Sequence, residues 1–175
     1  MNNLLDKISP SEALEILKLL AKTDKQTKKK ILDIAENMIK DIEYDSICDD
    51  VFWALDGIDV HELWNSSGST VDGYISTDQM AAEMIEEELE PFQQEVFRLI
   101  ELGLSQEAKF YCMGVLKGIY MYEHDSKSEF KDWATDIPGE CFHYLLDEWK
   151  KRFKKKSVIK EMNEFLTKEC ENWLK

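Results

Sequence analysis

Hydrophobic residues recur every three or four positions along almost all of this chain, the spacing that gathers side chains on one face of an α-helix. The first stripe, Leu14, Leu17, Leu20 and Ala21, follows Ser9, Pro10, Ser11 and Glu12. Ser at the cap, Pro at the first helical position and Glu three residues after Ser form a capping box. A second stripe, Ile31, Ile34, Ala35, Met38, Ile39 and Ile42, starts after Thr23, Asp24, Lys25 and Gln26, which offer another cap. The turn between them is so short that an antiparallel hairpin is expected. A third helix is predicted over residues 46–56, with Ile47, Val51, Ala54 and Leu55 inward, ended by Gly57 in a left-handed conformation. One more turn of helix fits residues 60–64. The run Asn65, Ser66, Ser67, Gly68, Ser69, Thr70, continued by Asp72 and Gly73, reads as a loop.

Ser76, Thr77 and Asp78 cap a long helix over residues 77–102, whose stripe is Ala81, Ile85, Leu89, Phe92, Val96, Leu99 and Ile100. The phase runs unbroken through Pro91, which predicts a kinked helix rather than two. Gly103 stops it. Ser105 is expected to cap the next helix, with Ala108, Tyr111, Cys112, Val115, Leu116 and Ile119 on one face, making a second hairpin. Residues 124–137 are polar and irregular, with one turn around Phe130 to Trp133. Asp136, Ile137 and Pro138 begin a helix with Phe142, Leu145, Leu146, Trp149 and Phe153 inward. Ser157 is expected to cap the last helix, whose stripe is Ile159, Met162, Phe165, Leu166, Trp173 and Leu174. No segment alternates, so no sheet is predicted. The prediction is an all-α protein of about seven helices, stacked as antiparallel hairpins in an α-solenoid-like manner. Its expected parts are an N-terminal unit 1–64, a loop 65–75 and a larger unit 76–175, together one compact domain.

Composition sharpens this picture. Of the 175 residues, 43% are hydrophobic, enough for a core and too many for wholesale disorder. No apolar run approaches a membrane span. No basic flank and apolar run open the chain, so a cytoplasmic location is expected. The net charge of −14 is uneven: residues 1–40 carry +2, residues 41–149 carry −21 and residues 150–175 carry +5. So acidic a middle repels nucleic acid and anionic membrane and attracts basic partners. Cys48, Cys112, Cys141 and Cys170 form no C-x-x-C pair and read as free thiols among apolar neighbours.

The run from Leu102 through Gly103, Leu104, Ser105, Gln106 and Glu107 to Ala108 resembles the turn of a tetratricopeptide hairpin, although no second copy recurs at the 34-residue period of such arrays. Residues 16–39 resemble the helical pair that begins the region after a SWIM zinc finger in some bacterial proteins. Residues 80–121 and 136–152 are similar to the helices that follow it there. Leu19, Leu20, Ala21 and Asp24, with Glu107 and Ala108, carry the likeness, which spans much of residues 10–153. The C-x-C…C-x-H finger itself is absent, so no metal site carries over. The resemblance implies a helical-repeat module for protein contacts.

Catalytic signatures are sparse. There is no G-x-S-x-G, P-loop or dinucleotide fingerprint. Glu140 and His143 make a single E-x-x-H, where di-iron bundles need two plus two further glutamates. The carboxylates Asp45, Asp49 and Asp50, and Asp56 with Asp59, lack the glycine-centred calcium loop and read as helix-start and loop charges. Gly114 and Gly118 predict close approach of a neighbouring helix. Lys150, Lys151, Arg152, Lys154, Lys155 and Lys156 are the one place where a phosphate polyanion could dock, although cations at a helix end also complement its dipole. The expected function is a non-catalytic interaction or scaffold module that needs no cofactor. An acidic groove of the helices in residues 77–122, with Asp78, Glu83, Glu87 and Glu90 as contacts, would receive a basic or amphipathic protein segment. The alternatives are nucleic-acid contact through residues 150–156 and a metalloenzyme using Glu140 and His143. The last helix could also join two copies of the chain.

Overall fold

The computed structural model describes residues 7–40, 42–70, 73–153 and 155–173, with every side chain among them except those of Glu36, Met38, Lys40 and Thr70. The predicted inward residue Leu174, the loop residue Asp72 and the side chain of Met38 lie outside the described residues. The fold is all-α, with eight α-helices among the described residues. None of them is long and apolar enough to cross a membrane. The chain divides into two units at residues 41 and 42, not at the expected loop 65–75.

The first unit is the predicted hairpin of α1 (Pro10–Thr23) and α2 (Lys25–Lys40). The capping box forms as expected: Ser9 Oγ accepts from the Glu12 amide at 3.3 Å, and Glu12 Oε2 accepts from the Ser9 amide at 2.8 Å. Asp24 alone links the helices. Its Oδ1 accepts from the Gln26 and Thr27 amides at 2.7 and 2.8 Å, satisfying donors that the start of α2 leaves unpaired.

The second unit contains α3 (Tyr44–Asp56), α4 (Val60–Ser66), α5 (Thr77–Glu101), α6 (Ser105–Asp125), α7 (Ile137–Arg152) and α8 (Lys156–Glu169). A single 3-10 turn, Glu129–Trp133, precedes α7. The helices bundle around α6, which packs against α3, α5, α7 and α8. Its Ala108, Cys112, Val115, Leu116, Ile119 and Tyr122 are fully buried. The closest packing is with α3. A Cβ added at Gly114 would stand 2.6 Å from the Tyr44 carbonyl oxygen, and one at Gly118 would stand 2.6 Å from Val51 Cβ and 2.7 Å from the Cys48 oxygen. The two glycines therefore mark the helix approach that their spacing predicted. Lys117, on the same helix, bonds Asp45 at 3.0 Å and Glu169 at 3.2 Å, tying α6 to both α3 and the end of α8. Burial works against that ammonium charge, but the two carboxylates outweigh it and its pKa rises.

Several local expectations are corrected. A short antiparallel hairpin joins α4 to α5: β1 (Gly68–Thr70) pairs with β2 (Gly73–Ile75), Ser69 opposite Tyr74. Gly68 and Gly73 hold φ of 106° and 144°, which only glycine adopts readily. Three residues per strand are too few to write an alternating pattern. Ser105 opens α6 but does not cap it; the cap position is Leu104, without a side-chain bond. Ser157 likewise lies inside α8, which starts after Lys155. Gly57 ends α3 with φ −80°, so its role is small size beside the Trp53 oxygen and not a left-handed turn. Gly103 does take φ 77°, and Leu104 and Gly103 donate to the Leu99 and Ile100 oxygens, both at 3.0 Å, closing α5 in a Schellman turn. α5 is one continuous helix through Pro91, which stands on its exposed side.

The α3–α6 approach makes a direct prediction. Gly118→Ala gains about 1 kcal/mol of helix propensity but forces overpacking against backbone, at a cost of about 3 kcal/mol. Thermal denaturation is expected to show a net fall in Tm of about 4–8 °C. Gly139→Ala in α7, where a Cβ meets nothing within 4 Å, should leave Tm unchanged or raise it.

Candidate functional site

Helical spacing decides which carboxylates of α5 share a face. Ala81, Ile85 and Leu89 are buried, Met84 packs beside them, and Glu86, Glu87, Glu88 and Glu90 are exposed. Glu83, Glu87 and Glu90, separated by four and three positions, line one open groove together with Glu86 and Gln93. The opposite wall is α7, which contributes Glu140, Ile137, Cys141 and Tyr144. The groove thus lies between α5 and α7, where the expected wall was α6. Its volume is about 630 Å³. Asp78 is exposed in the first turn of α5 and is not part of the lining.

Five carboxylates converge on this groove. Gln79 Nε2 donates to Glu83 at 3.0 Å and Gln94 Nε2 donates to Glu90 at 2.8 Å, so neutral amides hold two of them from one turn away. Among the described residues no lysine or arginine pairs with Glu83, Glu86, Glu87, Glu90 or Glu140, while the paired cations sit elsewhere. Ile137 and the exposed Tyr144 ring place apolar surface beside the charges. Burial, with Glu86 and Glu140 nearby, pushes the Cys141 thiol up to about 11. Chemically the groove is a cation-attracting trough with an apolar wall. Its thiol is protonated at neutral pH and is a poor nucleophile.

The E-x-x-H pair does not converge. Glu140 faces the α5–α7 groove, whereas His143 lines a separate cavity of about 350 Å³ with Glu123, His124 and Asp136. There His124 Nδ1 meets the Tyr120 carbonyl oxygen at 2.8 Å, and its ring stacks on Tyr120 with centroids 4.0 Å apart. Among the described residues no group of three or more His, Cys, Asp or Glu is placed to hold a metal ion.

The basic run is partly engaged within the protein. Lys151 and Arg152 both reach Glu148, each at 2.6 Å, and lower its pKa. The Arg152 guanidinium also covers the Phe97 ring at 4.3 Å. Lys155 stands at the start of α8, Lys156 is its first residue and Lys150 is half-buried. Lys154 lies outside the described residues. Glu86, Gln93, Ile137, Cys141 and Tyr144 were not singled out as partner contacts from the sequence. Glu86, three residues after Glu83, and Tyr144, four after Glu140, carried a spacing signal; the pairing of α5 with α7 carried none.

No family model matches the chain, and no curated protein or solved structure matches it.

The thiol environments predict their own reactivity. Burial raises Cys48 to about 11 and Cys170 to about 12, with Cys112 raised further. In the folded protein at pH 8, iodoacetamide labelling of Cys141 read site by site by mass spectrometry should run at least ~100-fold slower than that of a free thiol of pKa about 8.5. Labelling of native Cys141 at the free-thiol rate would contradict the buried placement.

Proposed function

We propose that this protein is a non-catalytic interaction module whose α5–α7 groove receives a basic, amphipathic segment of a partner protein. The observation that carries this reading is the convergence of Glu83, Glu86, Glu87, Glu90 and Glu140 on one open groove, without a paired cation among the described residues. Like charges crowded on a surface repel one another, and a cationic ligand relieves that repulsion. A helix with lysines along one edge and aliphatic residues along its face would set ammonium groups against the glutamates and its apolar stripe against Ile137 and Tyr144. The resemblance of much of residues 10–153 to helices that accompany SWIM zinc fingers points the same way, toward protein contact. The engagement of Lys151 and Arg152 by Glu148 weighs against nucleic acid as the ligand of residues 150–156. The separation of Glu140 from His143 weighs against a metalloenzyme.

Isothermal titration with a synthetic 18-residue lysine/leucine amphipathic helix tests the reading. Glu83→Lys with Glu87→Lys should raise its Kd at least ~10-fold, two opposed charges being worth roughly 1.4 kcal/mol. Asp49→Lys with Asp50→Lys makes the same change in net charge on exposed positions of α3 and should raise Kd much less. Equal losses in the two variants would show that overall charge binds the peptide and that the groove does not.

A further inference from the structure

The α5–α7 groove has one wall that distinguishes between cations. Ile137, Glu140, Cys141 and Tyr144 follow one another at the three- and four-residue spacing of a helix stripe, and this stripe of α7 lines the groove. Glu140 and Tyr144, four residues apart, are neighbours on it. Both are exposed, Tyr144 by 56%. Among the described residues no ring packs on Tyr144 and no cation covers it. No lysine or arginine among them pairs with Glu140. α7 thus presents an open aromatic ring beside an open carboxylate.

Arginine and lysine respond differently to such a pair. A guanidinium is planar and weakly hydrated, so it can lie flat on a ring while its edge donates two N–H groups to a carboxylate. An ammonium is a strongly hydrated point charge that a carboxylate alone satisfies. The glutamates of α5 attract both; the ring on α7 separates them. The protein holds an arginine of its own in this way. Arg152 bonds Glu148, four residues earlier on α7, at 2.6 Å while its guanidinium covers Phe97 at 4.3 Å. Lys151 bonds the same carboxylate, also at 2.6 Å, and covers no ring among the described residues. The lysines that do stand over rings, Lys109 and Lys117, keep 4.9 and 5.4 Å from them.

We infer that the groove selects arginine over lysine and that Tyr144 sets this preference, a guanidinium of the partner segment stacking on its ring and donating to Glu140. This selectivity rests on the groove reading proposed above and specifies which cation the bound segment carries.

Isothermal titration of the full chain tests it with two 18-residue amphipathic helices of equal charge, one leucine/lysine and one leucine/arginine. Lysine and arginine have similar helix propensity, so the peptides differ in their cation and little else. The arginine peptide is expected to bind the unaltered chain about 5-fold tighter, the equivalent of one exposed cation–π contact. Tyr144→Leu, which keeps an apolar side chain at this exposed position, should bring the arginine peptide down to the level of the lysine peptide and change the latter less than about 2-fold. Tyr144→Phe should retain the preference, because the ring and not the hydroxyl holds the guanidinium. Equal affinities for the unaltered chain, a preference kept by Tyr144→Leu, or one lost in Tyr144→Phe would overturn the selectivity and leave the groove reading standing. If neither peptide binds, or if Glu83→Lys with Glu87→Lys weakens binding no more than Asp49→Lys with Asp50→Lys, the groove reading fails and the selectivity with it.

Discussion

Two missing methyl groups set the geometry of the larger unit. At Gly114 and Gly118 the backbone of α3 occupies the space in which any other residue of α6 would carry its Cβ. Helices that approach this closely exchange contacts along their whole length, and α3 consequently buries Cys48, Val51 and Leu55. With α3 fixed on one side of α6, the remaining sides are left to α5, α7 and α8. Lys117 then clamps the same side electrostatically, one residue before the second glycine, by reaching Asp45 and Glu169 at once.

The placement of cations follows from that packing. Lys109 is 5% exposed and meets Glu161 of α8 at 2.5 Å, and Lys117 is held by α3 and the end of α8. Arg152 lies over Phe97 and against Glu148. The scarce positive charges of residues 41–149 are thus partly spent on holding helices together, which leaves Glu83, Glu86, Glu87 and Glu90 of α5 without a paired cation among the described residues. The acidic groove is in this sense a by-product of how the bundle is fastened. Its selectivity would come from the apolar wall of α7 beside it.

Much of the architecture could be read from the sequence, because helices announce themselves through spacing and capping. The box at Ser9 and Glu12, the cap at Asp24, the stop at Gly103 and the approach at Gly114 and Gly118 all rest on local chemistry that tertiary packing leaves intact. What could not be read is which faces meet. The stripe of α3 would look the same against any neighbour, so the division of the chain was expected some twenty-five residues too late. The row Glu83, Glu87 and Glu90 was visible on one face, but nothing in α7 names α5 as its neighbour, and the second wall was missed. The hairpin at Gly68–Ile75 was hidden by its brevity. Ser105 and Ser157 had the right residue type for caps but stand one and two positions after the cap residues Leu104 and Lys155.

The turn at Gly103 has a consequence for the order in which the unit can assemble. It brings α5 and α6 together across three residues, so their contacts form with little loss of chain entropy. The approach of Tyr44 to Gly114 instead joins positions 70 apart in sequence. Closing so long a segment costs more entropy, and contacts of this range slow folding. The α5–α6 pair therefore sits at the fast, local end of the folding process and the α3 seam at the slow end. A nascent chain presents α3 first, yet the glycines that receive it emerge only after the intervening helices have been made.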